Sequence, residues 1–117
     1  MENKETRKEL INAYKERSRT STGGVYIIRN TQNGKLLLET ASDIEAASNR
    51  FGFAQTTGSC INYKLQKDWS AYGSKVFVFE VAETLKKNDD QTPAQFREDL
   101  DFLKKLWTEK FDPATLY

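Results

Sequence analysis

The stretch Gly24-Val25-Tyr26-Ile27-Ile28-Arg29-Asn30-Thr31-Gln32-Asn33-Gly34-Lys35-Leu36-Leu37-Leu38 decides the fold. An alternating apolar run meets Asn33-Gly34, and a second apolar run follows. Asn-Gly between two such runs is the strongest short-range hairpin signal, because a type I′ turn needs positive φ at both central residues. The segment therefore reads as an antiparallel hairpin with strands over 24–30 and 35–40. A two-residue turn pairs Thr31 with Leu36, Asn30 with Leu37 and Ile28 with Glu39. Side chains alternate between faces, so Tyr26, Ile28, Asn30, Leu37 and Glu39 share one face. Val25, Ile27, Leu36 and Leu38 take the other, which is the more apolar and the expected core face.

Before the hairpin, residues 3–19 are rich in Lys, Glu and Arg. Leu10, Ile11 and Tyr14 sit at helical spacing, which predicts an amphipathic helix with a narrow apolar stripe. Its cations (Arg7, Lys8, Lys15, Arg17, Arg19) suit a phosphate-touching arm, but interleaved Glu5, Glu9 and Glu16 favour a solvated helix with its own ion pairs.

After the hairpin, Ser42-Asp43-Ile44-Glu45 reads as a capping box, in which a serine hydroxyl and a glutamate satisfy first-turn amides reciprocally. The helix it opens carries Ile44, Ala47, Phe51 and Arg50, and Gly52 is its expected stop. Residues 53–60 read as a small-residue loop. A second helix over 62–72 buries Leu65 and Trp69 and ends at Gly73. Residues 76–81 form a short apolar strand. Thr92-Pro93-Ala94-Gln95 is a second helix start, with threonine as cap, proline in the first turn and glutamine completing the box. Phe96, Leu100, Leu103 and Trp107 repeat at four-three-four spacing, Phe102 and Leu106 widen the stripe, and Asp112-Pro113 closes the helix. The order is α-β-β-α-α-β-α: an α/β (α+β) domain with an N-terminal helix, a hairpin, two helices, a third strand and a long C-terminal helix.

Composition narrows the chemistry. A chain of 117 residues fits one domain with one modest core. No run of about 18 apolar residues exists, so no membrane span is expected. The N-terminus lacks a signal-like apolar region, and Cys60 is the single cysteine, so a reducing cytoplasm is the natural compartment. Histidine is absent, which removes the usual general base, proton shuttle and metal ligand together. A formal net charge of +1 neither supports nor excludes a nucleic-acid partner.

Gly24-Val25-Tyr26 followed by Asn33-Gly34-Lys35 resembles the first half of a GIY-YIG endonuclease domain. Leu65-Gln66-Lys67-Asp68-Trp69, Tyr72-Gly73 and Phe77-Val78-Phe79-Glu80 are similar to the middle of small stand-alone bacterial members of that superfamily. Leu106-Trp107 through Lys110-Phe111-Asp112-Pro113 is similar to their last helix and its closing proline. The match covers nearly the whole chain from Gly24 onward. The resemblance implies a helical extension over 1–20 and a single GIY-YIG-like domain over 21–117.

It also implies metal-assisted hydrolysis of DNA phosphodiesters. In the family, hairpin tyrosines position the attacking water, a helix arginine stabilises the transition state, and a last-helix glutamate holds magnesium or manganese. Residue by residue, Tyr26 matches the first tyrosine and Arg50 the arginine. Leu37 stands at the second tyrosine. Glu39 stands where a glycine admits substrate, and its carboxylate repels a phosphate. Cys60 stands where relatives often carry a histidine, with no histidine in the chain to activate its thiol. Lys104 falls at the metal-binding glutamate, and an ammonium cannot ligate a hard cation. The asparagine that relatives often carry beyond the closing proline has no counterpart before Tyr117.

The bland readings stand beside these. Tyr26 is equally a half-buried strand tyrosine, and Arg50 a helix-end arginine on the C-terminal dipole. Asp101, one helical turn before Lys104, is a rescue carboxylate for a displaced metal or, more simply, an ion-pair partner of Lys104 or Lys105. Glu80 reads as a solvent-facing strand residue. Three functions follow. The first is a domain that has lost cleavage, expects no cofactor and binds DNA or a protein. The second is a divergent Mg- or Mn-dependent endonuclease. The third is a protein-interaction or homo-oligomerisation domain. The unfilled roles argue against an enzyme.

Overall fold

The computed structural model describes residues 22–117, and the expected N-terminal helix lies outside them. Three strands, β1 (Thr22–Asn30), β2 (Leu36–Ala41) and β3 (Phe77–Lys86), form one antiparallel sheet in the order β2-β1-β3. Three α-helices join them: α1 (Ile44–Thr57), α2 (Gln66–Tyr72, preceded by a 3₁₀ turn Tyr63–Leu65) and α3 (Pro93–Thr108). Among the described residues the order β-β-α-α-β-α is the expected one.

The hairpin forms with a different turn. Ile28 pairs Leu37 and Tyr26 pairs Glu39, so the register moves by two residues from the expected one. Asn33 does not take positive φ; only Gly34 does, at 77°. The loop is instead residues 31–34, closed by Asn30 N–H to Lys35 O (2.9 Å) and Gly34 N–H to Asn30 O (2.8 Å). The Asn30 and Asn33 side-chain oxygens accept from Gln32 and Lys35 amides, an arrangement a two-residue turn would not allow. A shift of two preserves the side-chain alternation, so each residue keeps its expected face.

Both faces are buried, not one. Ile28, Leu37 and Phe77 pack under α1 (Phe51, Ala54) and the α2 region (Leu65, Trp69). On the other face Val25, Ile27, Leu36 and Leu38 pack beneath Leu103, Trp107, Phe111 and Leu116. The sheet is thus sandwiched between α1/α2 and α3.

Helix ends differ in instructive ways. Asp43, not Ser42, caps α1, its carboxylate accepting from Ala46 N–H. The helix runs through Gly52 and stops at Gly58 in a left-handed cap, so much of the expected loop is helical. Burial of Phe51 and Ala54 on either side of Gly52 outweighs its helix penalty of about 1 kcal/mol. The Thr92-Pro93-Gln95 box forms as expected. Phe102 and Leu106 do not join the buried stripe of α3: they are 63% and 42% exposed. β3 is longer than expected and carries a bulge opposite Val25/Tyr26, with Ala82 the extra residue. At this point β3 crosses so close to β1 that a Cβ on Gly24 would stand 2.1 Å from Glu83 O. The first glycine of the signature is therefore a packing requirement.

Candidate functional site

β1 and the bulge present Tyr26 beside α1. Its ring stacks on Phe79 at 4.8 Å between centroids, and Phe79 in turn meets Phe51 at 5.7 Å. Tyr26, Leu37, Ala47, Arg50, Ile61 and Asn62 line a compartment of about 100 Å³. Thus the structure brings Tyr26, Arg50 and Leu37 together. Arg50 sits mid-helix on α1, so the helix-end reading of it does not hold. Leu37 is buried in the core beneath the compartment. A leucine there fills space and offers no donor.

Burial raises the Tyr26 pKa above its ordinary value of 10.0, Glu39 adds to this, and Arg50 opposes it. At neutral pH Tyr26 is therefore a neutral phenol. It can donate a hydrogen bond to an anion but is no ready base.

Glu39 is Tyr26's cross-strand partner. Its carboxylate takes Lys104 Nζ at 3.8 Å and Asn62 Nδ2 at 3.5 Å. Lys104 thus pairs with β2, and the expected Asp101 pairing with Lys104 or Lys105 is not formed. Asp101 is exposed on α3. Glu80 is also at the surface, held by Arg29 through two hydrogen bonds of 3.0 and 3.2 Å. Cys60 is half-buried, and its thiol donates to Asn62 O at 3.1 Å.

A divalent cation of the magnesium or manganese type needs several converging oxygen donors. Among the described residues no group of three or more His, Cys, Asp or Glu converges. The carboxylate beside Tyr26 is already occupied by an ammonium. These residues do not fit a resident divalent metal. What the compartment can do is hold an anion. A guanidinium, a phenol and the Asn62 carboxamide surround it, and the one nearby carboxylate is partly neutralised.

Asn62 and a polar network away from the compartment carried little sequence signal. Asn62 caps the 3₁₀ turn with its side-chain oxygen while its amide reaches Glu39. A single Asn before a helix reads as a cap and nothing more. At the other end of the same sheet face, Asn30, Asp68, Asn33 and Tyr117 form a polar network. An asparagine among apolar strand neighbours was its only sequence signal.

The fold so defined is GIY-YIG-like. Among solved structures it is similar to the catalytic domain of the homing endonuclease I-TevI, with a TM-score of 0.59 and 23% identity over 81% of this chain and 95% of that one. A point mutant of the same catalytic domain gives a TM-score of 0.56 and 22% identity over 76% and 82% of the two chains. No family model matches the sequence, and no curated protein does. At this identity the likeness is one of fold. Among the described residues no helix is long and apolar enough to cross a membrane.

Proposed function

We propose that this chain is a nuclease-like domain that has lost metal-dependent phosphodiester cleavage and serves as a binding module, with DNA the partner its fold favours. One observation carries the reading: Lys104 and Glu39 form an ion pair where the resemblance puts a metal-binding carboxylate and a substrate-admitting glycine. Losing one preorganised charge-stabilising group costs about 10²–10³ in rate. Here the second tyrosine is Leu37 and the metal carboxylate is replaced by the opposite charge. Tyr26 and Arg50 remain as a donor and a cation for phosphate contact. The similar domains named above are endonuclease domains, which supports nucleic acid over other partners.

The test is incubation of the protein with supercoiled plasmid and magnesium or manganese, alongside Arg50→Ala. Neither protein should nick the plasmid. Nicking by the wild type that Arg50→Ala abolishes would establish a rearranged working site and end this reading.

A protein-interaction role has its own support in α3, whose Phe102 and Leu106 stand exposed one turn apart. Concentration-dependent light scattering that collapses to the monomer in Phe102→Ser would favour that role.

A further inference from the structure

The compartment beside Tyr26 and Arg50 has a neighbour. Arg50 and Ile61 also line a second, open hollow of about 390 Å³ between the outer turns of α1 and the segment before α2. Phe53, Ala54, Thr57 and Cys60 line this outer cavity with the same Arg50 and Ile61. Phe53 is 71% exposed and Ile61 40% exposed, although both belong to residue types that usually turn inward. A volume of this order lies in the range of small-molecule sites, which are mostly apolar with a few placed polar groups. The inner compartment supplies those groups: the guanidinium of Arg50, the Tyr26 hydroxyl and the Asn62 amide. Among the described residues Arg50 has no ion-pair partner. Its charge is therefore available to a ligand.

We propose that the two compartments together receive a small amphipathic phosphate ester. Its phosphate would lie against Arg50, Tyr26 and Asn62, and its compact apolar body against Phe53, Ala54 and Ile61. The proposal rests on the reading that the site neither holds a metal nor cleaves, since a phosphate head needs the space to itself. A phosphate bound alone would leave the outer hollow unfilled. Arg50, on the wall common to both, is placed to make charge-assisted hydrogen bonds to a phosphate while its stem packs along the apolar body.

The probe is 1-naphthyl phosphate, titrated into isotope-labelled protein and followed by amide chemical shifts. Saturable shifts clustered at Arg50, Phe53 and Ile61 are expected. Inorganic phosphate and 1-naphthol should each bind at least about tenfold more weakly, because each satisfies one compartment only. Arg50→Gln should weaken the ester by about tenfold or more. Ser59→Trp, an exposed change at the rim of the outer cavity, should block the ester while leaving the weak response to inorganic phosphate. No saturable shift at millimolar ester, equal binding of inorganic phosphate, or an unchanged affinity in Ser59→Trp would each overturn the proposal. Plasmid nicking with manganese sinks the non-cleaving reading instead. A silent nicking assay together with a silent titration removes the ester site alone.

Discussion

Tyr26 and Asn30 lie on the same face of β1, on either side of Ile28, yet their surroundings are opposite. Asn30 is fully buried, and each of its side-chain polar atoms is used. Its amide donates to Tyr117 Oη at 2.9 Å and reaches Asp68 at 3.4 Å, while its oxygen accepts from Gln32 N–H at 2.8 Å. Tyr117 donates to Asp68 at 2.7 Å, and Asn33 donates to the same oxygen at 3.0 Å. At the other end Tyr26 is half-buried, and the contacts of its neighbour Glu39 are long, at 3.5 and 3.8 Å. Short, closed bonds around a buried amide fasten the C-terminal segment to the sheet, where Tyr117 N–H also donates to Leu36 O at 2.9 Å. Long, open contacts leave donors for something else. On one strand face, the closed end holds the fold and the open end holds room for a ligand.

The largest effect expected at the open end comes from its backbone, not its polar groups. Gly24→Ala would place a Cβ 2.1 Å from Glu83 O, forcing β3 away from β1 beside the bulge that aims Tyr26. The loss should be at least about 3 kcal/mol, or failure to fold, read from urea unfolding. A near-neutral result would mean that the strand crossing is looser than the geometry says.

At the closed end, Tyr117→Phe leaves the buried Asn30 amide short of a partner and should cost about 1–3 kcal/mol. It should also change the pH dependence. Hydrogen bonds, Tyr117's first, hold Asp68 below its ordinary value of 3.8. A lowered carboxylate pKa adds stability that is present above that value and lost as pH falls through the folded pKa. Tyr117 is pushed above its ordinary 10.0, chiefly by burial. That contribution is present below the ordinary value and lost as pH rises through the raised one. Wild-type stability should therefore sag at both extremes, and Tyr117→Phe should shrink both sags, Tyr26 with its own raised pKa keeping part of the alkaline one. Identical profiles would show that the network does not couple to folding.

Local signals were legible. The Thr92-Pro93-Gln95 box, the hairpin and the division of strand residues between faces follow from chemistry within a few positions. The turn type was not, because the Asn30 and Asn33 side chains compete for loop amides that a two-residue turn would leave elsewhere. The end of α1 was missed because burial of Phe51 and Ala54 overrides a single glycine. At the candidate site, it was the family resemblance that grouped Tyr26, Leu37 and Arg50, and the three line one compartment. The partner of Lys104 was illegible: helical spacing offers Asp101, but the fold brings Glu39 from a distant strand.

That ion pair gives the smallest expected effect on stability and the finest test of the contrast between the two ends. Both side chains keep roughly a third of their surface in solvent, 35% for Lys104 and 27% for Glu39. Pairs of this kind contribute about 0–1 kcal/mol, so Lys104→Gln should leave the urea midpoint nearly unchanged. Binding should respond more strongly. Without the ammonium, Glu39 keeps its full negative charge beside Tyr26 and repels an anion approaching Arg50. Glu39→Gln removes the repulsion altogether and should bind 1-naphthyl phosphate more tightly than wild type, with Lys104→Gln weaker than either. If Lys104→Gln instead cost about 2 kcal/mol or more of stability, the pair would be a second fastener, and the open end of the face would be no more a binding site than the closed one.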